Sequence, residues 1–340
     1  MKVGIVGLPN AGKSTLFNAL TRAQAQAAEY PFTTVEPNVA VVAVPDPRLD
    51  AIADTLGIDR RVPEHIEFVD IAGLVRGAHQ GEGLGNRFLG HIRDVDAIVH
   101  VVRAFASPQV AHPHGEGEPL ADLETVEAEL LLADLETAER RLESAEKAAK
   151  SQDRAAASEA DFWRSVVEEL RAGRPAPPEA ELLTSKPALI VANIDEGETV
   201  PAALGDRGAV GVCALDEADL AELEPAEAES MRAELGLARG ALDQVVRAAY
   251  GLLGLITFFT AVGNKEVRAW SLRQGSTAPE AAGRVHTDMR EGFVRAEAIG
   301  WKELVDAGSF ARARELALLR TEGRDYVVAD GDVLTIKFTS

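Results

Sequence analysis

Short hydrophobic runs alternate with helix-forming stretches along most of this chain. Runs of this length, bounded by polar or glycine-containing segments, are typical of buried strands in a mostly parallel sheet. The helical stretches between them provide the crossover connections that parallel strands require. The pattern therefore predicts an α/β domain with helices on both faces of the sheet. The predicted strands lie at residues 2–6, 39–44, 66–70, 97–102, 188–193 and 210–214.

The alternation stops between residues 118 and 185, where helix formers dominate and neither Gly nor Pro occurs from 120 to 172. Five apolar residues are spaced so that they share one face of a helix. A second helix from about 155 to 171 would return antiparallel to the first. We predict a helical hairpin inserted into the α/β domain. The apolar stripe consists of Leu123, Leu130, Ala133, Ala138 and Leu142.

Beyond residue 255 the hydrophobic pattern changes to short alternating stretches separated by turns and two short helical segments. The stretches lie at residues 257–260, 267–272, 327–328 and 333–338. The Asp-Gly-Asp sequence at 330–332 is a hairpin signal between the last two. The pattern predicts a second, smaller α+β domain.

Charge is distributed unevenly over the 340 residues, whose formal net charge is −20. Residues 116–185 carry 18 acidic and 8 basic side chains, and residues 215–240 carry 8 and 2. Residues 251–340 are balanced, with 12 of each sign. The total argues against indiscriminate binding to a phosphate backbone, but its distribution leaves an RNA-facing surface open.

Cysteine content and hydropathy indicate a protein of the cytoplasm. The single cysteine, Cys213, permits no internal disulfide, which fits a reducing compartment. The longest uncharged run, residues 248–264, is too short and too glycine-rich for a membrane span. Pro9 interrupts the apolar N-terminus too early for a signal peptide.

The segment from Gly7 to Ser14 reads Gly-Leu-Pro-Asn-Ala-Gly-Lys-Ser and matches the phosphate-binding P-loop pattern. It follows a predicted strand and opens a predicted helix, which is the context that the motif requires. Glycines allow the backbone amides to converge on an anion. We expect Lys13 to contact the β- and γ-phosphates, and the Ser14 hydroxyl to bind Mg²⁺.

Two further segments supply residues suited to a metal and a γ-phosphate. Asp70 ends the predicted strand 66–70, where its carboxylate suits the environment of Mg²⁺, and the Gly73 amide is placed to sense the γ-phosphate. Between this motif and the P-loop, Thr33 and Thr34 offer hydroxyls that are suited to the metal.

The base-recognition segment is expected after the strand 188–193, where the chain reads Asn193-Ile194-Asp195-Glu196. Guanine-reading domains carry Asn-Lys-x-Asp here, and the aspartate accepts hydrogen bonds from guanine. Ile194 replaces the lysine and is able to pack on a purine, while Glu196 is one methylene longer than aspartate. The change argues for weakened guanine selectivity and does not by itself establish adenine.

Together these segments resemble the YchF family of Obg-like ATPases, within the Obg-related P-loop GTPases. The resemblance rests on residues 7–20, 30–38, 68–78 and 81–89, and on the altered base motif. It implies a P-loop G domain at 1–117 and 186–254, an inserted antiparallel helical arm at 118–185, and a ubiquitin-like β-grasp (TGS) domain at 255–340. It also implies hydrolysis of ATP in preference to GTP.

The resemblance also implies roles for individual residues. Thr34 corresponds to the metal-binding threonine, alongside Ser14 and Asp70. Ile194 and Glu196 join Asn193 at the base. The implied P-loop contacts are Asn10, Ala11, Gly12, Lys13, Ser14 and Thr15.

The residue that orients the attacking water is not the usual glutamine, because Leu74 occupies that position. A leucine cannot orient water by hydrogen bonding. The family places a histidine on the loop after strand 97–102, and His112 is the best match, although the adjacent His114 leaves the choice open. Asn10 is suited either to holding K⁺ beside the phosphates or simply to the P-loop backbone.

The resemblance predicts a nucleotide switch that associates with ribosomes or translation. We expect ATP and a ribosome or ribosomal subunit as partners, with RNA left open, no DNA, no membrane and a monomeric chain. Two alternatives remain: a GTPase of the Obg type, because a carboxylate survives at Glu196, and a non-hydrolysing nucleotide-gated binding module, because of Leu74.

Overall fold

The fold is described by a computed structural model that covers residues 1–27, 38–71, 84–107, 112, 117–150, 154–234, 240–262 and 265–339. The strands are β1 (Lys2–Val6), β2 (Val39–Ala43), β3 (Arg61–Val62), β4 (His65–Asp70), β5 (Ala97–Ala104), β6 (Ala188–Ile194), β7 (Val210–Val212), β8 (Leu255–Val262), β9 (Glu266–Arg273), β10 (Phe293–Gly300), β11 (Arg320–Glu322) and β12 (Asp332–Phe338). The helices are α1 (Lys13–Ala27), α2 (Pro47–Leu56), α3 (Leu84–Arg93), α4 (Pro119–Ala149), α5 (Arg154–Arg171), α6 (Ala202–Gly205), α7 (Ala214–Leu220), α8 (Pro225–Glu234), α9 (Ala241–Leu252), α10 (Ala278–Val285), α11 (Thr287–Glu291), α12 (Trp301–Ala307) and α13 (Phe310–Glu315).

The first compact unit comprises residues 1–42 and 67–245. Its sheet has the order β2-β4-β1-β5-β6-β7, and β1 pairs in parallel with both β4 and β5. The strands predicted from the apolar runs are all present. Their buried residues, such as Ile5 and Val99, have no exposed surface. The carboxyl ends of β1 and β4 therefore lie side by side, which brings the P-loop next to Asp70.

The inserted arm is an antiparallel pair of helices, as predicted. Arg164 pairs with Glu146, and Arg171 pairs with Glu139, so residue numbers rise along α5 as they fall along α4. Trp163, Val166 and Leu170 pack between the two helices. The first turns of α4 instead bury Val126, Leu130 and Ala133 against β1, β5 and α3, so one continuous helix belongs to both the sheet's core and the arm.

The second compact unit comprises residues 43–66 and 246–339 of the described chain. Its sheet has the order β11-β10-β12-β8-β9-β3. The β8–β9 hairpin is antiparallel, and β12 lies parallel to β8, which is the strand arrangement of a β-grasp domain. One face packs on α10, and the other packs on α2, α12 and α13.

Residues 43–66 pack with the C-terminal unit. The sequence instead predicts that they belong to the nucleotide-binding domain, so this predicted boundary is wrong. Helix α2 starts with Asp46 as N-cap and Pro47 in its first turn, and it ends at Gly57 with a φ of 64°. Its apolar face buries Leu49 and Ile52 against Phe259. Nothing in the order of apolar runs reveals which of two sheets such a helix covers.

Strand β10 was missed by the sequence analysis, and the predicted hairpin at 330–332 was wrong. Half of the eight residues of Phe293–Gly300 are Ala, Glu or Arg, and a register shift between Phe293 and Arg295 breaks its alternation. Val327 makes only an isolated bridge to Thr277, while β12 pairs with β10. A β-bulge removes the period-two signal on which strand prediction depends.

Arg48 links the N-terminal segment of the second unit to its sheet. Its guanidinium donates to Asp46 (Nη2, 2.7 Å) and to Asp330 (Nη1, 2.6 Å), and it lies 5.5 Å from the centre of the Phe259 ring. The Arg48 side chain is 21% exposed. By contrast, Arg61 pairs with Asp50 and Asp54, whose side chains are largely exposed.

We expect Arg48→Met to lower the free energy of unfolding of the second unit by about 2 kcal/mol, because it leaves two carboxylates without their cation. The matched variant Arg61→Met should lower it by less than about 1 kcal/mol, since exposed pairs contribute little. Urea unfolding followed by tryptophan fluorescence in a Trp163→Phe background reports on Trp270 and Trp301. Equal decreases in the free energy of unfolding for Arg48→Met and Arg61→Met would contradict this account.

Candidate nucleotide-binding site

The loop between β1 and α1 adopts backbone conformations that favour glycine. Gly12 has a φ of 91°, and a Cβ atom there would lie 2.1 Å from Nδ2 of Asn193. A Cβ on Gly7 would lie 2.3 Å from the backbone oxygen of Val101. Asn10 also has a positive φ, 64°. The loop therefore packs so closely on β5 and β6 that side chains at Gly7 and Gly12 are excluded, and its backbone curls around the N-terminus of α1.

Lys13 is the first residue of α1 and is only 7% exposed. Its ammonium donates to the carbonyl oxygen of Leu8 at 2.8 Å, within the same loop. Burial lowers the pKa of Lys13, and the negative charge of Asp70 partly offsets this effect. An ammonium held over the loop by one carbonyl is positioned to exchange that oxygen for a phosphate oxygen.

Ser14 and Asp70 meet at the edge where β1 and β4 end. The Ser14 hydroxyl donates to Oδ2 of Asp70 at 2.8 Å, and the backbone register pairs Ile5 with Asp70. A hydroxyl and a carboxylate are the oxygen ligands that Mg²⁺ prefers, with phosphates and water completing its shell. In the described part of the chain, no cluster of three or more His, Cys, Asp or Glu side chains is suited to a metal by itself. The donor set thus fits a metal that arrives with a nucleotide.

Asn193 ends the buried part of β6 and links two loops of the site. Its Nδ2 donates to the backbone oxygen of Ala11 at 3.1 Å, and its Oδ1 accepts from the backbone amide of Ala214 at 3.0 Å. The side chain thereby fixes the P-loop relative to the start of α7. Besides its predicted contact with the base, Asn193 therefore holds two loops together, a role that the sequence motif does not reveal.

The three residues after Asn193 differ in how far they are exposed to solvent. Ile194 is half-buried and Glu196 is exposed, so the carboxylate of Glu196 faces solvent. Asp195, to which the sequence analysis gave no role, accepts a hydrogen bond from the Ala106 amide at 2.8 Å. Leu215, in the first turn of α7, is 63% exposed next to Ala214. The sequence signal for Leu215 was an apolar residue that directly follows the predicted strand 210–214.

His112 lies at the base of the arm. Its Nε2 is 2.8 Å from Oδ2 of Asp122, on the first turn of α4, and the two side chains are 9% and 10% exposed. The structure therefore brings His112 together with a carboxylate that the sequence analysis did not identify. Thr34, Gly73, Leu74 and His114 lie outside the described residues.

Comparison with known proteins identifies the family. Residues 2–133 match the MMR_HSR1 family, described as a 50S ribosome-binding GTPase, and residues 255–339 match the YchF-GTPase_C family, described as a protein of unknown function. A Bacillus subtilis protein named ribosome-binding ATPase YchF is 45% identical over 99% of each chain. The chain belongs to the YchF family. A protein of the same name from Escherichia coli O157:H7 is 46% identical over 99% of both chains.

The YchF assignment confirms the fold class predicted from the sequence. The solved structure of the Schizosaccharomyces pombe YchF GTPase matches with a TM-score of 0.88 and 33% identity, over 99% of this chain and 97% of that one. The P-loop G domain, helical arm and C-terminal β-grasp domain are thus YchF features. Within the described ranges of this YchF chain, no helix is long and apolar enough to cross a bilayer.

Cys213 precedes α7 in this YchF chain and is half-buried. Burial raises the pKa of its thiol to about 12, and a hydrogen bond to Asp216 contributes in the same direction. A thiol that stays protonated at neutral pH is a poor nucleophile. Cys213 therefore belongs to the packing of the β7–α7 junction rather than to a redox function.

Proposed function

We propose that this chain is a Mg²⁺-dependent ATPase that prefers ATP to GTP and acts as a nucleotide switch on ribosomes. The observation that carries the proposal is the altered base segment joined to an intact phosphate loop. Asn193 is bonded to Ala11 of the P-loop, while the positions that usually carry Lys and Asp hold Ile194 and Glu196. The names of the bacterial relatives, ribosome-binding ATPases, support the same activity and partner.

The proposed mechanism assigns each residue a task in phosphoryl transfer. The P-loop amides and Lys13 neutralise the β- and γ-phosphates, and Ser14, Thr34 and Asp70 would hold the Mg²⁺ that arrives with ATP. Bound Mg²⁺ supplies charge neutralisation at the transferring phosphoryl group. The Gly73 amide contacts the γ-phosphate, and His112 orients water. A bond forms between the water oxygen and the γ-phosphorus as the bond to ADP breaks.

The base preference follows from hydrogen-bond chemistry. Guanine offers two donors to a carboxylate, whereas adenine N1 is an acceptor that repels one. Glu196 is exposed and one methylene longer than aspartate, so its carboxylate is free to turn away from adenine. Ile194 and Leu215 give a purine apolar surface on which to pack. The Schizosaccharomyces pombe relative is called a GTPase, and GTP is the second candidate because Glu196 retains a carboxylate.

The same proposal extends to the setting of the protein. We propose a cytoplasmic monomer that contacts a ribosome or ribosomal subunit. K⁺ beside Asn10 would add a further positive charge at the phosphates. Faster ATP turnover in K⁺ buffer than in Na⁺ buffer would support the binding of K⁺ beside Asn10.

A phosphate-release assay tests the proposed activity. We expect ATP turnover in Mg²⁺ that is abolished by a chelator, and co-sedimentation with ribosomes. Tight ATP binding with no phosphate release, even with ribosomes added, would instead identify a non-hydrolysing binding module.

A further inference from the structure

We propose that Asp122 is the positioning residue for His112, so that the arm helix α4 contributes to hydrolysis. This inference rests on the proposed ATPase function and on the role proposed there for His112. It adds a residue that no motif of the nucleotide-binding domain contains. Its basis is the position of Asp122, which contacts His112 and also lines a small cavity together with residues of the phosphate loop.

The first observation is the bond between the two side chains. Oδ2 of Asp122 lies 2.8 Å from Nε2 of His112, and about nine-tenths of each side chain is buried. A carboxylate acceptor favours the tautomer that carries its proton on Nε2. In that tautomer Nδ1 carries the lone pair, which is the kind of acceptor that orients an attacking water. This is the task that Leu74 cannot perform.

The second observation is that Asp122 stands on a rigid element. Helix α4 begins at Pro119, and the Asp122 amide donates to the Glu118 carbonyl at 3.0 Å. The adjacent Leu123 is 1% exposed, and Val126, one turn further on, is 3% exposed. Both are buried in the core of the first unit, so the backbone of Asp122 is held in place. A carboxylate fixed in this way is suited to orienting a partner.

The third observation is the close packing of the imidazole against Gly117. A Cβ atom at Gly117 would lie 2.0 Å from Nε2 of His112 and 2.2 Å from its Cε1. The ring therefore occupies space that only a glycine leaves open. His112 is fixed from two sides, by Gly117 and by Asp122.

The fourth observation places this pair beside the phosphate loop. Asp122 and the P-loop residues Gly7, Leu8 and Ala11 line the same small cavity. Asp122 thus faces the loop that is proposed to hold the phosphates.

Two further polar side chains share this cavity with Asp122. His100 and Arg103 also line it, and Nδ1 of His100 and Nη1 of Arg103 are buried without a hydrogen-bond partner among the described residues. Burial lowers the pKa of His100 to about 4, so its ring is neutral at pH 7. Arg103 is the other charged residue that lines the cavity, and its guanidinium donates to the backbone oxygens of Phe105 and Ser107.

The test compares Asp122→Asn with a matched variant on the same helix. Asp134 is also buried on α4, where it accepts hydrogen bonds from the amides of Leu183 and Thr184. We expect Asp122→Asn to lower kcat for ATP by about 10- to 100-fold with KM within about twofold, because orientation is lost and phosphate binding is kept. Asp134→Asn should lower Tm and leave kcat within about twofold.

A double-mutant cycle separates positioning from a structural effect. If Asp122 acts through His112, Asp122→Asn has no further effect on kcat in a His112→Ala background. Full kcat in Asp122→Asn, or losses that multiply in the double variant, would overturn the role of Asp122 while His112 keeps its own. Full kcat in His112→Ala would overturn both roles, and absence of ATP turnover in the unmodified protein would overturn the proposed function itself.

Discussion

Replacing Lys13 with alanine is expected to weaken ATP binding by about 100-fold and to remove measurable ATP turnover. The ammonium is almost fully buried, donates to the Leu8 carbonyl and lies in the field of Asp70. It is therefore positioned to neutralise phosphate charge in a site where water screens little. Truncating one partner of a buried ammonium–phosphate pair costs several kcal/mol of binding free energy. Calorimetric titration and a phosphate-release assay measure the two effects.

Lys186 provides the matched control for Lys13. Its ammonium also donates to backbone carbonyls, those of Arg93 and Val95, and burial also lowers its pKa. Lys186→Ala should reduce thermal stability and leave ATP affinity within about twofold. Lys13→Ala should not reduce the Tm of the nucleotide-free protein, because it removes a desolvated charge. ATP affinity preserved in Lys13→Ala would contradict the assignment of this loop to the phosphates.

His112→Ala is expected to lower kcat for ATP by about 100-fold or more and to leave ATP affinity within about twofold. The imidazole contacts Asp122 and packs against Gly117, and its proposed role concerns the attacking water, so we expect its loss to leave phosphate binding unchanged. General acid–base or water-orienting groups contribute about this much to a rate. Single-turnover hydrolysis with saturating protein separates the chemical step from binding.

His114→Ala is the control, because the sequence offers His114 as the neighbouring alternative. It should hydrolyse ATP at a rate within about twofold of the unmodified protein. Unchanged turnover in His112→Ala would remove the proposed role. If turnover were lost only in His114→Ala, that role would pass to His114.

The strands around the P-loop were predictable because each is a short run buried on both faces. Val3, Ile5 and Val6 have no exposed surface. A strand that is buried on both faces requires apolar residues at successive positions, and such a run is visible in the sequence. The register that brings Asp70 beside the P-loop follows from the same parallel pairing. For this reason Asp70 lies within hydrogen-bond distance of Ser14, although 56 positions separate the two residues along the chain.

The features that escaped prediction depend on contacts between distant segments. Residues 43–66 join the second sheet through Arg48 and Asp330, a pairing that no local pattern encodes. The Asn193 carboxamide binds Ala11 and Ala214 because three loops converge at one end of the first sheet. The Asp122–His112 contact is different, because its residues are only ten positions apart. It was missed because an aspartate in a first turn is otherwise an ordinary helix-start residue.

Calorimetric titration of the nucleotide-free protein with ATP and GTP, each with Mg²⁺, tests the central claim most directly. Ile194 and Glu196 stand where a guanine-reading domain has its lysine and aspartate, so we predict that ATP binds at least tenfold more tightly than GTP. The exchange Glu196→Asp should narrow that difference. GTP binding tenfold more tightly than ATP would contradict the account and identify the chain as a GTPase.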